Sequence, residues 1–138
     1  MNTRIQLGFG MAFLAATFAA FAQAQTWEYR YYKLGPGGQY EKDRFVAGTL
    51  SLMDEKDGKG TVRIVAGQGK GNNCTRGDLP AAITKSDATT TIELQLLTGC
   101  DETRYVIRND GSGGEREIRR NDKWVKDGYE HGLTPVAK

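Results

Sequence analysis

Val46-Ala47-Gly48-Thr49-Leu50-Ser51-Leu52, followed by Asp54-Glu55-Lys56-Asp57-Gly58-Lys59-Gly60 and then Val62-Arg63-Ile64-Val65-Ala66, is the stretch whose reading decides the fold. In the first run Val46, Gly48, Leu50 and Leu52 fall on one side of an extended chain, and in the last Val62, Ile64 and Ala66 do the same. A period of two marks a half-buried strand, whereas an amphipathic helix repeats at about 3.6 residues. The charged segment between them holds Asp57-Gly58, a dipeptide suited to a tight hairpin.

The same grammar extends in both directions. Downstream, Ile92, Leu94 and Leu96 alternate with Glu93, Gln95 and Leu97, and Tyr105 and Ile107 alternate with Arg104, Val106 and Arg108. Asn109-Asp110-Gly111-Ser112-Gly113-Gly114 then supplies a turn before a strand over 115–119, and Lys126-Asp127-Gly128 supplies another after Trp124-Val125. Upstream, Trp27, Tyr29 and Tyr31 alternate in an aromatic first strand that ends at Gly35-Pro36-Gly37-Gly38. Helix has one foothold: Asp78-Leu79-Pro80-Ala81-Ala82-Ile83 joins a capping residue to a proline near a helix start. The β-branched Thr89 to Thr91 return the chain to strand. The expected fold is all-β: a small antiparallel barrel or sandwich of about seven strands, with at most one short helical turn and one disulfide.

The amino terminus carries a second message. Arg4 precedes an uncharged apolar run from Leu7 to Phe21, and Ala22-Gln23-Ala24 places small residues before Gln25. That three-part pattern predicts a secretory signal peptide over 1–24 and a single β domain over 25–138. The run falls short of the roughly 20 residues of a membrane span, so no span is expected after cleavage and the location is periplasmic or secreted. Cys74 and Cys100, the two cysteines of the chain, are expected to pair in that oxidising setting. Cleavage removes one basic residue and no acidic one, lowering a formal charge of only +2. Such balance gives no field to gather nucleic acid. With a single histidine, His131, a histidine-based metal site is excluded, and neither a metal nor a cofactor is expected.

Catalytic constellations fare poorly. His131 would need Ser51, Ser86 or Ser112 as nucleophile, and none of these lies in a strand–turn–helix elbow. A carboxylate pair could be drawn from Glu93, Asp101, Glu102, Glu115 and Glu117, most of which alternation places on a solvated face or in a turn. Gly67-Gln68-Gly69-Lys70-Gly71-Asn72-Asn73 lacks the closing Gly-Lys-Ser/Thr of a phosphate loop and reads as a strand connection. Arg76-Gly77-Asp78 matches an adhesion tripeptide, although Asp78 also has a role as a helix cap. No catalytic residue is assigned.

Binding has better raw material. Trp27, Tyr29 and Tyr31 offer faces for sugars or apolar ligands. Arg116, Arg119, Lys123 and Trp124, with Arg120, Lys126 and Tyr129, form a basic stretch with aromatic residues interleaved, suited to an anionic polysaccharide or an acidic protein surface. With its signal peptide, cysteine pair and tail from Trp124 to Pro135, the chain resembles small exported proteins of β-proteobacteria, a likeness that brings no functional residue with it. In size and β content it is also similar to periplasmic lysozyme inhibitors. The leading expectation is an exported, non-enzymatic protein that binds a protein or envelope polysaccharide. The alternatives are an envelope-acting hydrolase using a carboxylate pair, and a small-ligand carrier with a hollow barrel lined by Trp27, Tyr29 and Tyr31.

Overall fold

The computed structural model describes residues 24–66, 73–127 and 132–137. Residues 1–23 of the expected signal peptide, residues 67–72 of the glycine loop, Tyr129 and His131 lie outside the described residues, and so does the side chain of Tyr31. Nine strands are present among the described residues: β1 (Gln25–Leu34), β2 (Tyr40–Lys56), β3 (Lys59–Ala66), β4 (Asp78–Lys85), β5 (Thr89–Leu94), β6 (Thr103–Arg108), β7 (Gly114–Arg120), β8 (Lys123–Lys126) and β9 (Gly132–Pro135). A single 3-10 turn covers Asn73–Thr75. All pair antiparallel in one sheet of order β8-β7-β6-β5-β4-β3-β2-β1-β9, a meander whose last strand returns to the first.

The alternation read from the sequence is the alternation of burial. Leu50 and Leu52 on β2, Val62 on β3, Ile92 and Leu94 on β5, and Tyr105 and Ile107 on β6 all enter the core. Trp27 and Tyr29 of β1 join them, and Leu133 of β9 covers the remaining side. Each such aliphatic side chain contributes about 1.5–3 kcal/mol on burial. The sheet is folded over on this core: the Tyr29 and Tyr105 rings, on strands five apart in the sheet order, meet edge to face at 5.9 Å. Asp57 and Gly58 take φ of 53° and 75° in the β2–β3 hairpin, and the Gly58 carbonyl accepts a hydrogen bond from Ile83 N.

Three expectations are corrected. The strand count exceeds the expected seven because β4 and β9 were not foreseen. Asp78–Lys85 is strand, not a helical turn, because Leu79, Ala81 and Ile83 are buried in alternation while Asp78, Pro80 and Ala82 face out. Pro80 lies near the strand's start, and its carbonyl still accepts from Gln95 N at 2.9 Å. The sheet is also not closed into a barrel, since its edge strands β8 and β9 are not hydrogen-bonded to each other. None of β8's side chains is fully buried, so it has no apolar row to turn inward and it extends the sheet instead.

The expected disulfide is present. Cys74, in the 3-10 turn, is bonded to Cys100, in the β5–β6 connection, 26 residues away. It ties two loops at one end of the folded sheet, and that end holds the site described next.

Candidate binding site

An inward-facing row of paired residues crosses the sheet through Ile83, Ile92 and Tyr105, and it ends on Arg116. Arg116 faces inward because β7 buries Gly114 and Ile118, the residues two before and two after it. Gly114 has no alternative there: a Cβ would come within 2.7 Å of the Val106 carbonyl oxygen. The chain beyond β8 continues the row, with Asp127 N donating to the Arg116 carbonyl at 3.1 Å.

The Arg116 side chain is only 19 % exposed. Its buried Nε approaches Asp127 Oδ2 at 3.4 Å, close enough for ionic attraction but without hydrogen-bond alignment. Tyr29 is hydrogen-bonded to the same guanidinium. Burial works against the charge of Arg116, but Tyr105, Tyr29 and Asp127 outweigh it and the net shift of its pKa is upward. Burial pushes the Tyr105 phenol well above its ordinary value, and Tyr29 beside it adds to the rise. Arg116 is therefore a fixed cation set among Tyr29, a neutral Tyr105 and one carboxylate.

Arg116 lines a cleft of ≈ 230 Å³, whose other walls are Cys74 and Thr75, Leu96, Gly99 to Asp101, and Thr103. The disulfide and Leu96 make one side apolar. Thr103 is held by its hydroxyl, which donates to the Asp101 carbonyl at 2.9 Å. Asp101 lies at the mouth, 3.8 Å from Arg120.

The remaining basic residues lie elsewhere. Arg119 and Trp124 are partners in the β7–β8 register, on the opposite face from Arg116. There Arg104 stacks over the Trp124 ring at 4.4 Å and is held by Glu117 at 2.5 Å. Arg119 sits 6.0 Å from the same ring and pairs with Glu102, while Lys126 pairs with Glu115. Lys123 is exposed at the start of β8. This outer surface is a lattice of compensated charges, and it takes up four of the acids considered for a carboxylate pair: Glu102, Glu115 and Glu117 here, and Asp101 at its edge with Arg120.

The two groups of candidate residues thus meet in one pair, Tyr29 with Arg116. Trp27 goes the other way: it helps line a second cleft, of ≈ 450 Å³, with Thr90, Ile107, Asn109, Pro135 and Val136. The polar groups there are committed locally, Thr90 donating to Asn109 Oδ1 at 2.8 Å and Arg108 to Ser112 Oγ at 2.7 Å. Asp78 of the Arg-Gly-Asp tripeptide is held through both carboxylate oxygens by Arg63, at 2.7 and 3.0 Å. Tyr105 and Asp127 were missed as site residues. The phase of Ile118 was the available signal, because a single apolar residue in a charged strand marks Arg116, two positions away, as inward.

Among the described residues no helix is long and apolar enough to cross a membrane, and no three potential metal ligands gather. No protein-family model, no curated protein and no solved structure matches the chain.

Proposed function

We propose that this chain is an exported, non-enzymatic binding protein, built as a sandwich-like folded sheet, whose ligand enters the cleft beneath the Cys74–Cys100 bond. The observation that carries this reading is Arg116. A cation on the core side of a strand costs stability unless something repays its desolvation, and the carboxylate nearest its Nε, that of Asp127, is not aligned to accept from it. Donors held in place at a cleft by a disulfide-tied frame are what a preformed binding site requires. Export rests on the leader-like pattern of 1–24, which the disulfide accords with.

The test is to express the full sequence, recover the protein from the periplasm or medium, and record its native mass spectrum. A bound small molecule should appear as an added mass that Arg116→Gln loses while its circular dichroism stays native. A protein that carries nothing, and shows no saturable spectral change with envelope extracts, would refute the reading.

A small-ligand carrier is the second reading, favoured by the Trp27 cleft, whose ≈ 450 Å³ falls within the usual range of about 300–1,000 Å³ for such sites. It predicts that Ala137→Trp, which fills that cleft, displaces the added mass and that Arg116→Gln does not. The hydrolase reading draws no comparable support, four of its five candidate acids being engaged with basic partners.

A further inference from the structure

We propose that the group recognised at Arg116 is a carboxylate, and that Asp127 is the internal carboxylate it competes with. This rests on reading the disulfide-end cleft as the binding site. Three features of the cleft select the chemistry. The cation is a guanidinium, whose planar fork of donors matches the two oxygens of a carboxylate better than a compact ammonium does. The volume, ≈ 230 Å³, lies below the range of whole drug-sized ligands, so the cleft takes a single functional group with a short stem. Its walls then provide for that stem, with Leu96 and the disulfide as apolar surface.

Asp127 shows what Arg116 is suited to hold. Its side chain is 14 % exposed and its carboxylate already lies 3.4 Å from Nε, yet the contact lacks hydrogen-bond alignment. A carboxylate arriving through the cleft is free to choose its approach and can align with the guanidinium, whereas Asp127 is constrained by the backbone bond between its own N and the Arg116 carbonyl. The second carboxylate of the region, Asp101, stands at the mouth beside Arg120, so its charge does not face the incoming anion uncompensated. Tyr105, its phenol held protonated by burial, adds no charge to the contest between Arg116 and Asp127.

Two sources of a carboxylate fit: a free small acid, or the terminus of a peptide chain. The experiment separates them. Propionate, N-acetyl-trialanine and N-acetyl-trialanine amide are titrated into the ¹⁵N-labelled protein at constant ionic strength, with inorganic phosphate as the control anion, and the amide signals of Cys100, Thr103 and Arg116 are followed. Propionate or the free-acid peptide should give saturable shifts; the tighter of the two identifies the source, and the amide should be silent. Arg116→Gln should weaken binding about tenfold or more, and Arg116→Lys by less, because it keeps the charge and loses the fork. Asp127→Asn should tighten binding several-fold by removing the competitor. The double variant Arg116→Gln with Asp127→Asn, which leaves no charge stranded, covers the case in which the single Arg116 variant fails to fold.

Phosphate binding as tightly as propionate, or weaker carboxylate binding in Asp127→Asn, would overturn the assignment. So would silence with both carboxylate probes. If that silence accompanies an Arg116-dependent added mass in the native spectrum, the carboxylate falls and the binding cleft stands.

Discussion

Replacing Cys74 and Cys100 together by serine removes the covalent link across a 26-residue separation. In the chain-entropy account a cross-link stabilises by restricting the unfolded chain, and closing a loop of that size contributes about 3.5 kcal/mol at 25 °C. For a domain whose whole stability is about 5–15 kcal/mol, that is a large share. The assay is equilibrium urea unfolding followed by tryptophan fluorescence, since Trp27 lies in the core and reports its exposure. With a urea slope of about 1–2 kcal/mol/M, the midpoint should fall by about 2–3.5 M. The slope itself should rise, because an unfolded chain without the cross-link is more expanded and exposes more surface. The wild type in excess reductant should behave as the double variant does. A loss under about 1 kcal/mol with an unchanged slope would show that the bond does not restrict the unfolded state, and the reasoning would fail at its first step.

Other perturbations test the frame around the site. Leu50→Ala, at a fully buried position, should cost about 2–5 kcal/mol in the same assay. Gly114→Ala drives a methyl against the Val106 carbonyl oxygen and Ile107 Cα, at 2.7 and 2.9 Å, and should destabilise by about 1–3 kcal/mol while disturbing the Arg116 amide signal. Hydrogen bonding from Arg63 holds the Asp78 carboxyl below its ordinary pKa. Because the folded value lies below the unfolded one, the contribution of that pair is present above the unfolded pKa and is lost as pH falls through the folded one. Carbon-detected titration of the side-chain carboxyls should show Asp78 ionising at lower pH than ordinary, and Arg63→Met should return it upward. If 1–24 is cleaved, the intact mass of the exported protein should correspond to a chain beginning at Gln25.

The parts of this fold that were legible in sequence are those where one physical signal acted alone. Leu50 and Leu52 alternate with polar neighbours, and Asp57-Gly58 carries the positive φ of a hairpin, so β2 and β3 were readable. β4 was not, because two signals conflicted: the Asp-x-Pro start of a helix and the period-two run of Leu79, Ala81 and Ile83, which prevails through its burial. β9 is a strand for reasons its own residues do not contain. One buried leucine between a glycine and a proline has no period, and it is the pairing with β1 that holds it extended. The Asn121-Asp122 turn, with φ of 49° and 60°, was a readable hairpin signal that went unused.

The candidate site residues divide along the same line. Residue type and position in the chain were enough to single out Tyr29 and Arg116, and an even cysteine count was enough to pair Cys74 with Cys100. Those properties are local or countable, so a linear sequence carries them. That Tyr29 and Arg116 touch, while Arg119 and Trp124 turn to the opposite face, was decided by register and by the folding-over of the sheet. A shift of one residue in β7 would exchange the two faces and carry Arg116 out to solvent. The sequence by itself determined a strand-rich, disulfide-tied chain with aromatic and basic side chains to spare. Only the tertiary structure decided which of them share the space beneath the disulfide, because that depends on strands brought together from opposite ends of the chain.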